Sequence, residues 1–297
     1  MQTYYMGRFA LDVPSEMKQA VQASRLRYSA IEDFVWPAGI DNEQAKQALW
    51  EKRLAEIRHL TPPRKKKDAM IRNQELTGLG EWSRGVYYFG NYMDADVANF
   101  DLLVDYGRVG LWIKCDSAIW NDANQQKIFR NARNIATSFK RDEGKKISRP
   151  TGDGFHLRNG TLYLPYLRQE NTYSRFEGHP RDLKLEVEMN ETHVVEELSV
   201  AERLAASIAT RFAPGVDVDT IRSRNRVAAG LKGEELVMRM SASGEDTLIQ
   251  FGWEYRGKAD SGEHPEIQIT METPDGNLDE KLKIWDAIID SFKPMYQ

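Results

Sequence analysis

The chain has 297 residues, 41% hydrophobic, 10% aromatic and 29% charged, with a formal net charge of −4. That is the make-up of a folded protein with a sizeable core, and it excludes disordered and collagen-like chains. The acidic balance removes the counterion-release drive behind non-specific nucleic-acid binding, and a single cysteine, Cys115, excludes an intramolecular disulfide and a thiolate-rich zinc site.

In chain order, TYYMGRFALDV and SAIEDFVW read as strands. Asp41 with Gln44 forms a capping-box variant ahead of QAKQALWEKRLAEI, a helix that aligns Trp50, Leu54 and Ile57 on one face. AMIRNQEL, GVYYFG and the pair FDLLVDY and RVGLWIKC around Gly107 are the next strands. QQKIFRNARNIATSFK then places Phe129, Ala132, Ala136 and Phe139 at helical spacing. The polar segment RDEGKKISRPTGDG at 141–154, with Pro150 and two late glycines, reads as a linker.

The second half follows the same plan. FHL, TLYLP and DLKLEVEM are strands, and Ser199 with Glu202 boxes the start of a helix carrying Leu204, Ile208 and Phe212. VDTIRSRN, ELVMRM, LIQFGWEY and EIQITME are strands, the third alternating Ile249, Phe251, Trp253 and Tyr255 with Gln250, Gly252 and Glu254. In DEKLKIWDAIIDSFK, Leu282, Trp285, Ile289 and Phe292 repeat the spacing of the earlier helix, and both helices close on Ser-Phe-Lys. The first helix of each half shares an Arg-Leu-Ala tripeptide. An internal duplication accounts for this. The expected fold is α+β, with two similar domains at 1–143 and 144–297, each an antiparallel sheet backed by two helices.

Catalytic motifs are tested against this frame. The nearest approach to a nucleophile elbow, Gly80-Glu-Trp-Ser83-Arg-Gly85, has its first glycine one place too early and lies in a hairpin region. His59, His156, His179, His193 and His264 form no close metal pair, and two of them precede proline in turns. Asp94, Asp96 and Asp101 lack the turn glycine and closing glutamate of a calcium loop. Arg64–Lys67 reads as a solvated loop, and Cys115, closing an apolar strand, as a buried small hydrophobe. No catalytic residue, metal site or cofactor is expected. No apolar run approaches the roughly 20 residues that span a bilayer, and the opening lacks the basic and apolar regions of an export signal.

What remains is recognition surface. DFVWPAGIDNE presents Trp36 and Asp41 beside a proline and a glycine turn, and the polar connection LRQENTYSRFEGHPRD supplies Tyr173, Arg175, Phe176 and Glu177. Aromatic and arginine side chains in loops are the types that anchor protein interfaces, so these six are the expected partner contacts.

Met6-Gly-Arg-Phe-Ala-Leu-Asp-Val-Pro14, the Arg-Leu-Ala helices, Gly154-Phe-His-Leu-Arg-Asn-Gly160 through Pro165 and the repeated Ser-Phe-Lys ends together resemble the bacterial immunity proteins that neutralise class-four lipase effectors of the type VI secretion system. The resemblance covers nearly the whole chain, with an N-terminal and a C-terminal family domain meeting near residue 150. It implies a non-enzymatic inhibitor that binds a phospholipase toxin and blocks its active-site entrance or lid, protecting the producing cell. It also implies a periplasmic location, since the family's opening motif usually follows an export signal. A hydrolase or lipid-modifying enzyme with an unrecognised site, and a periplasmic carrier of small apolar ligands, are the alternative readings from other classes.

Overall fold

A computed structural model describes residues 1–37, 42–90, 92–142, 154–166, 168–195, 216–242, 244 and 246–295. The described chain is mostly antiparallel sheet with three helices, an α+β arrangement. It divides into two compact units: Ser24–Pro165, and Met1–Ala23 together with Tyr166–Gln297. This division differs from the expected one at 143/144, because the first strands belong with the last helix.

The Ser24–Pro165 unit opens on a hairpin of β3 (Lys18–Leu26), whose first residues belong to the other unit, and β4 (Ser29–Val35). Its two-residue turn, Arg27-Tyr28, holds both residues at positive φ, 50° and 66°, the backbone that matches strand twist in a tight hairpin. After α1 (Asn42–Arg58) come β5 (Met70–Glu75), β6 (Trp82–Tyr88), β7 (Val97–Asp105) and β8 (Val109–Ile119). They give the antiparallel order β3–β4–β8–β7–β6–β5. α2 (Asp122–Ser138) packs Ala132, Ile135 and Ala136 onto the face with Leu102, Val104, Leu111 and Ile113. α1 lays Trp50, Leu54 and Ile57 on the opposite face, against Val86, Leu103 and Trp112. Short strands β9 (Phe139–Arg141), β10 (Phe155–His156) and β11 (Gly160–Leu162) add Phe139, Phe155 and Leu162 to the α2-side core.

In the other unit, β12 (Glu170–Glu177), β13 (Lys184–Asn190), β14 (Val216–Ala228), β15 (Leu231–Ala242), β16 (Leu248–Tyr255) and β17 (Glu266–Pro274) take the antiparallel order β12–β13–β17–β16–β15–β14. α3 (Leu278–Ser291) buries Trp285, Ile288 and Ile289 in one core with Val187, Phe251, Trp253 and Ile269. The first residues of the chain finish that core. TYYMGRFALDV is not one strand but a hairpin, β1 (Gln2–Met6) and β2 (Phe9–Val13), turning at Gly7 with φ 56°. β18 (Lys293–Pro294) pairs with β2, and Phe9 stacks on Phe292 with ring centroids 5.1 Å apart. A buried ion pair, Arg8 to Glu170 at 2.6 Å, ties the hairpin to β12.

Polar side chains fix the helices. Arg222, Arg224 and Arg226 of β14 converge on buried Glu235 and on Asp286 of α3, while the Trp285 indole donates to Glu235 at 3.0 Å. Burial would raise the Glu235 carboxyl, but the arginines and the indole outweigh it and hold it below the usual carboxylate range. On the α1 face, Lys46 and the Trp36 indole both donate to buried Asp105, at 3.2 and 2.9 Å, and Arg53 pairs with Asp101 at 2.7 Å. The helix expected after Ser199 and most of the expected linker lie outside the described residues.

Candidate partner-binding surface

β12 was expected as a polar connection, yet its residues alternate buried and half-exposed from end to end. That is the period-2 signature of a strand with one covered face. Glu170, Thr172, Ser174 and Phe176 point inward. Asn171, Tyr173, Arg175 and Glu177 point the other way, with Tyr173 opposite Glu188 and Arg175 opposite Glu186 on β13. On β17, Gln268 and Thr270 continue the same rows. The result is a flat, half-exposed surface with an acidic majority: Glu177, Glu186, Glu188 and Glu272 against Arg175 and Lys184. Arg175 pairs with Glu177 at 2.9 Å. Partial burial and a hydrogen bond to Glu186 raise the Tyr173 phenol, so it stays a neutral donor.

The six expected contacts therefore separate. Tyr173, Arg175 and Glu177 share one surface. Phe176 alternates with them and is 0% exposed, edge-on to Tyr4 at 4.8 Å, so it belongs to the core. Trp36 is 5% exposed, packed at right angles on Phe34 and hydrogen-bonded to Asp105; its indole staples β4 to the sheet beneath α1. Asp41 lies outside the described residues.

Sequence reasoning missed a second surface, in the Ser24–Pro165 unit. Tyr92 and Met93, in the β6–β7 connection, and Ile119, at the end of β8, are 60%, 74% and 62% exposed. Large apolar side chains of this kind are costly to leave in water and often mark contact sites. Asp94 and Asp96 stand beside them. The acidic pattern of this stretch signals only a failed calcium loop, and no local periodicity marks the exposed Tyr-Met pair that precedes it.

Among the described residues the groups that could carry chemistry are tied into structure. Ser83 is buried and donates to the Leu76 carbonyl at 3.0 Å. Burial pushes the Cys115 thiol up to about 12, beside Ser29 at 3.1 Å, which suppresses the thiolate. His156 is buried on the Thr161 hydroxyl, and His59 and His179 bond to nearby backbone. Glu191, His193 and Asp260 bring ligand atoms within 4.8 Å of one another. However, His193 and Arg168 already pair with Asp260, at 2.6 and 3.3 Å, and Glu191 accepts the backbone N–H of Gln169 and Glu170. These groups tie loops together rather than offer an open coordination shell. No described helix is long and apolar enough to cross a membrane.

Residues 148–295 match the family model of the Tle cognate immunity protein 4 C-terminal domain. No sequence among the curated proteins matches the chain. The fold is similar to that of the apo immunity protein TplEi of the type VI secretion system of Pseudomonas aeruginosa, with TM-score 0.75 and 20% identity over 99% of this chain and 96% of that one. It is also similar to a chain in the crystal structure of a Tle4–Tli4 complex, with TM-score 0.76 and 19% identity over 99% and 97%. TplEi bound to an "L" peptide superposes with TM-score 0.72 and 19% identity over 99% and 98%. Through the domain that fills its C-terminal half, the chain belongs to the Tle cognate immunity protein 4 family.

Proposed function

We propose that the chain is an immunity protein that binds a cognate type VI secreted Tle lipase effector and inhibits it sterically, by covering the active-site entrance or its lid. The observation that carries this reading is the family match over residues 148–295; the similarity in fold over nearly the whole chain supports it. Inhibition of this kind asks only for binding surface from the chain. The acidic, half-exposed surface around Tyr173, Arg175 and Glu177, and the apolar tip of Tyr92, Met93 and Ile119, are the contacts offered. An immunity protein for a lipid-degrading toxin acts where the toxin meets its substrate, and with the family resemblance this supports reading the chain as periplasmic.

We also read the chain as two copies of one plan, evolved over 1–143 and 144–297. Supporting this, β3–β4–β8–β7–β6–β5 and β12–β13–β17–β16–β15–β14 correspond strand for strand. Each meander runs into a helix whose Ser-Phe-Lys end caps alike, with Phe139 and Phe292 extended and donating to the carbonyl three residues back.

Mixing the purified chain with the lipase encoded beside its gene tests the function. Light scattering should show a stoichiometric complex, and phospholipase activity should fall in step with it. A lipase that stays free and active at micromolar chain sinks the proposal. Turnover of ester substrates by the chain alone would favour the hydrolase reading.

A further inference from the structure

β5 is the outermost strand of the Ser24–Pro165 sheet: it pairs with β6 from Met70 to Glu75, and no described strand pairs with its other edge. In an antiparallel ladder, successive residues turn their N–H and C=O groups to opposite edges. Leu76 donates to the Ser83 carbonyl of the neighbouring strand, so Gln74 and Arg72 face inward and Asn73 and Glu75 face outward. A bulge between Met70 and Arg72 ends the flat part of the edge, leaving room for a short added strand rather than an open-ended stack.

The same alternation sends the Arg72 and Gln74 side chains to the α2 face. There, with Tyr87, Phe129 and the first turns of α2, they line an open cavity of about 380 Å³. The Arg72 guanidinium lies 4.9 Å over the Tyr87 ring. Its lining combines the aromatic rings of Tyr87 and Phe129, the amides of Gln125 and Gln126, and the opposite charges of Arg72 and Asp122. A long neutral side chain ending in an amide suits it: the amide oxygen accepts from Arg72 and the amide nitrogen donates to Asp122.

Resting on the immunity reading above, we propose that the effector docks an extended segment on the outer edge of β5 as an added antiparallel strand. The backbone of Asn73 and Glu75 supplies the ladder, and a glutamine-like side chain of the segment enters the cavity. Added strands take affinity from main-chain bonds and specificity from pockets for alternate side chains, and this edge carries both.

Amide hydrogen exchange of the full chain, free and bound to its cognate lipase, tests the docking. The Asn73 and Glu75 amides should exchange at least about tenfold more slowly in the complex, the effect of one net hydrogen bond each. Asn73→Pro, which deletes an outward donor and spares the inward ladder, should weaken binding by about tenfold or more with an unchanged melting temperature. A complex in which both amides exchange as fast as in the free chain overturns the docking and leaves the immunity reading standing. Protection of the same amides by self-association of the chain alone also overturns it. Failure to form any complex overturns both.

Discussion

Leu102, Leu103 and Val104 of β7 are buried without a break, whereas on β13 Leu185, Val187 and Met189 are buried and Glu186 and Glu188 between them stay half-exposed. The cause lies in what covers each sheet. In the Ser24–Pro165 unit, α1 and α2 sit on opposite faces, so Leu102 and Val104 face the α2-side core and Leu103 the α1-side core. In the other unit α3 and the β1–β2 hairpin close one face of β12, β13 and β17, and the residues on the other face are polar. A continuous apolar run in this chain therefore reports two covered faces, and an alternating run reports one. The one-sided strands are where recognition surface is available.

The largest effects should come from the tryptophans that lock one helix to each sheet. Trp285→Ala and Trp50→Ala each empty a fully buried site and should cost about 3–5 kcal/mol in urea unfolding. A small loss for Trp50 alone would mean that the α1 face is not a true second core. Acid should then separate the units. The folded-state pKa of Glu235 is depressed, so its contribution is complete above the ordinary glutamate value near ~4.3 and is lost as pH falls through the folded value. Asp33, in the other unit, has its pKa raised by burial, which outweighs its bonds from Asn159 and Arg158; its contribution is present at low pH and lost as pH rises. Glu235→Gln should lower stability at pH 7 and flatten the acid limb of the urea midpoint against pH. An unchanged acid limb would assign acid lability to other carboxylates.

Lys46→Ala leaves buried Asp105 with the Trp36 indole and the Gly107 N–H as its side-chain donors among the described residues and should cost about 1–3 kcal/mol. The smallest effects lie at the helix starts, where the units again differ. Asn121 caps α2 by accepting from the Asn124 N–H at 2.9 Å, while Asn277 at the start of α3 sits at φ 52° with no side-chain cap bond. Asn121→Ala should cost about 1 kcal/mol. Asn277→Gly should be neutral or stabilise by about 0.5 kcal/mol, since glycine takes the left-handed backbone without strain. Thermal melts of the two variants resolve the contrast.

The meander strands and all three described helices were legible in sequence because each carries a strong local period. Trp285 and Ile289, or Leu54 and Ile57, repeat at helical spacing, and LIQFGWEY alternates cleanly. β3 and β12 were not legible: KQAVQASRL and ENTYSRFE bury Gln19, Glu170, Thr172 and Ser174, and Gln19, Glu170 and Ser174 are satisfied by partners far away in sequence. Arg8 makes Glu170 a core residue, and no local pattern reveals a partner 162 positions distant. The expected contacts fared unevenly for the same reason. Tyr173, Arg175 and Glu177 share a face whose period the sequence carries, while Phe176 sits on the covered face of a strand that reads locally as a polar connection, and Trp36, just past β4, is buried by its bond to Asp105, a partner no local pattern reveals.

The β1–β2 hairpin lies far in sequence from the partners that complete its core: Phe9 stacks on Phe292, β2 pairs with β18, and Met6, Phe9 and Leu11 share one cluster with Trp285 of α3. All of 24–165 lies between them in the chain and forms its own compact unit. Closing contacts across so long an intervening segment carries a large loop-closure entropy, and contacts of high sequence separation slow folding. The unit that holds the hairpin is therefore the one whose folding rate depends on joining distant segments, whereas the Ser24–Pro165 unit closes within one continuous stretch.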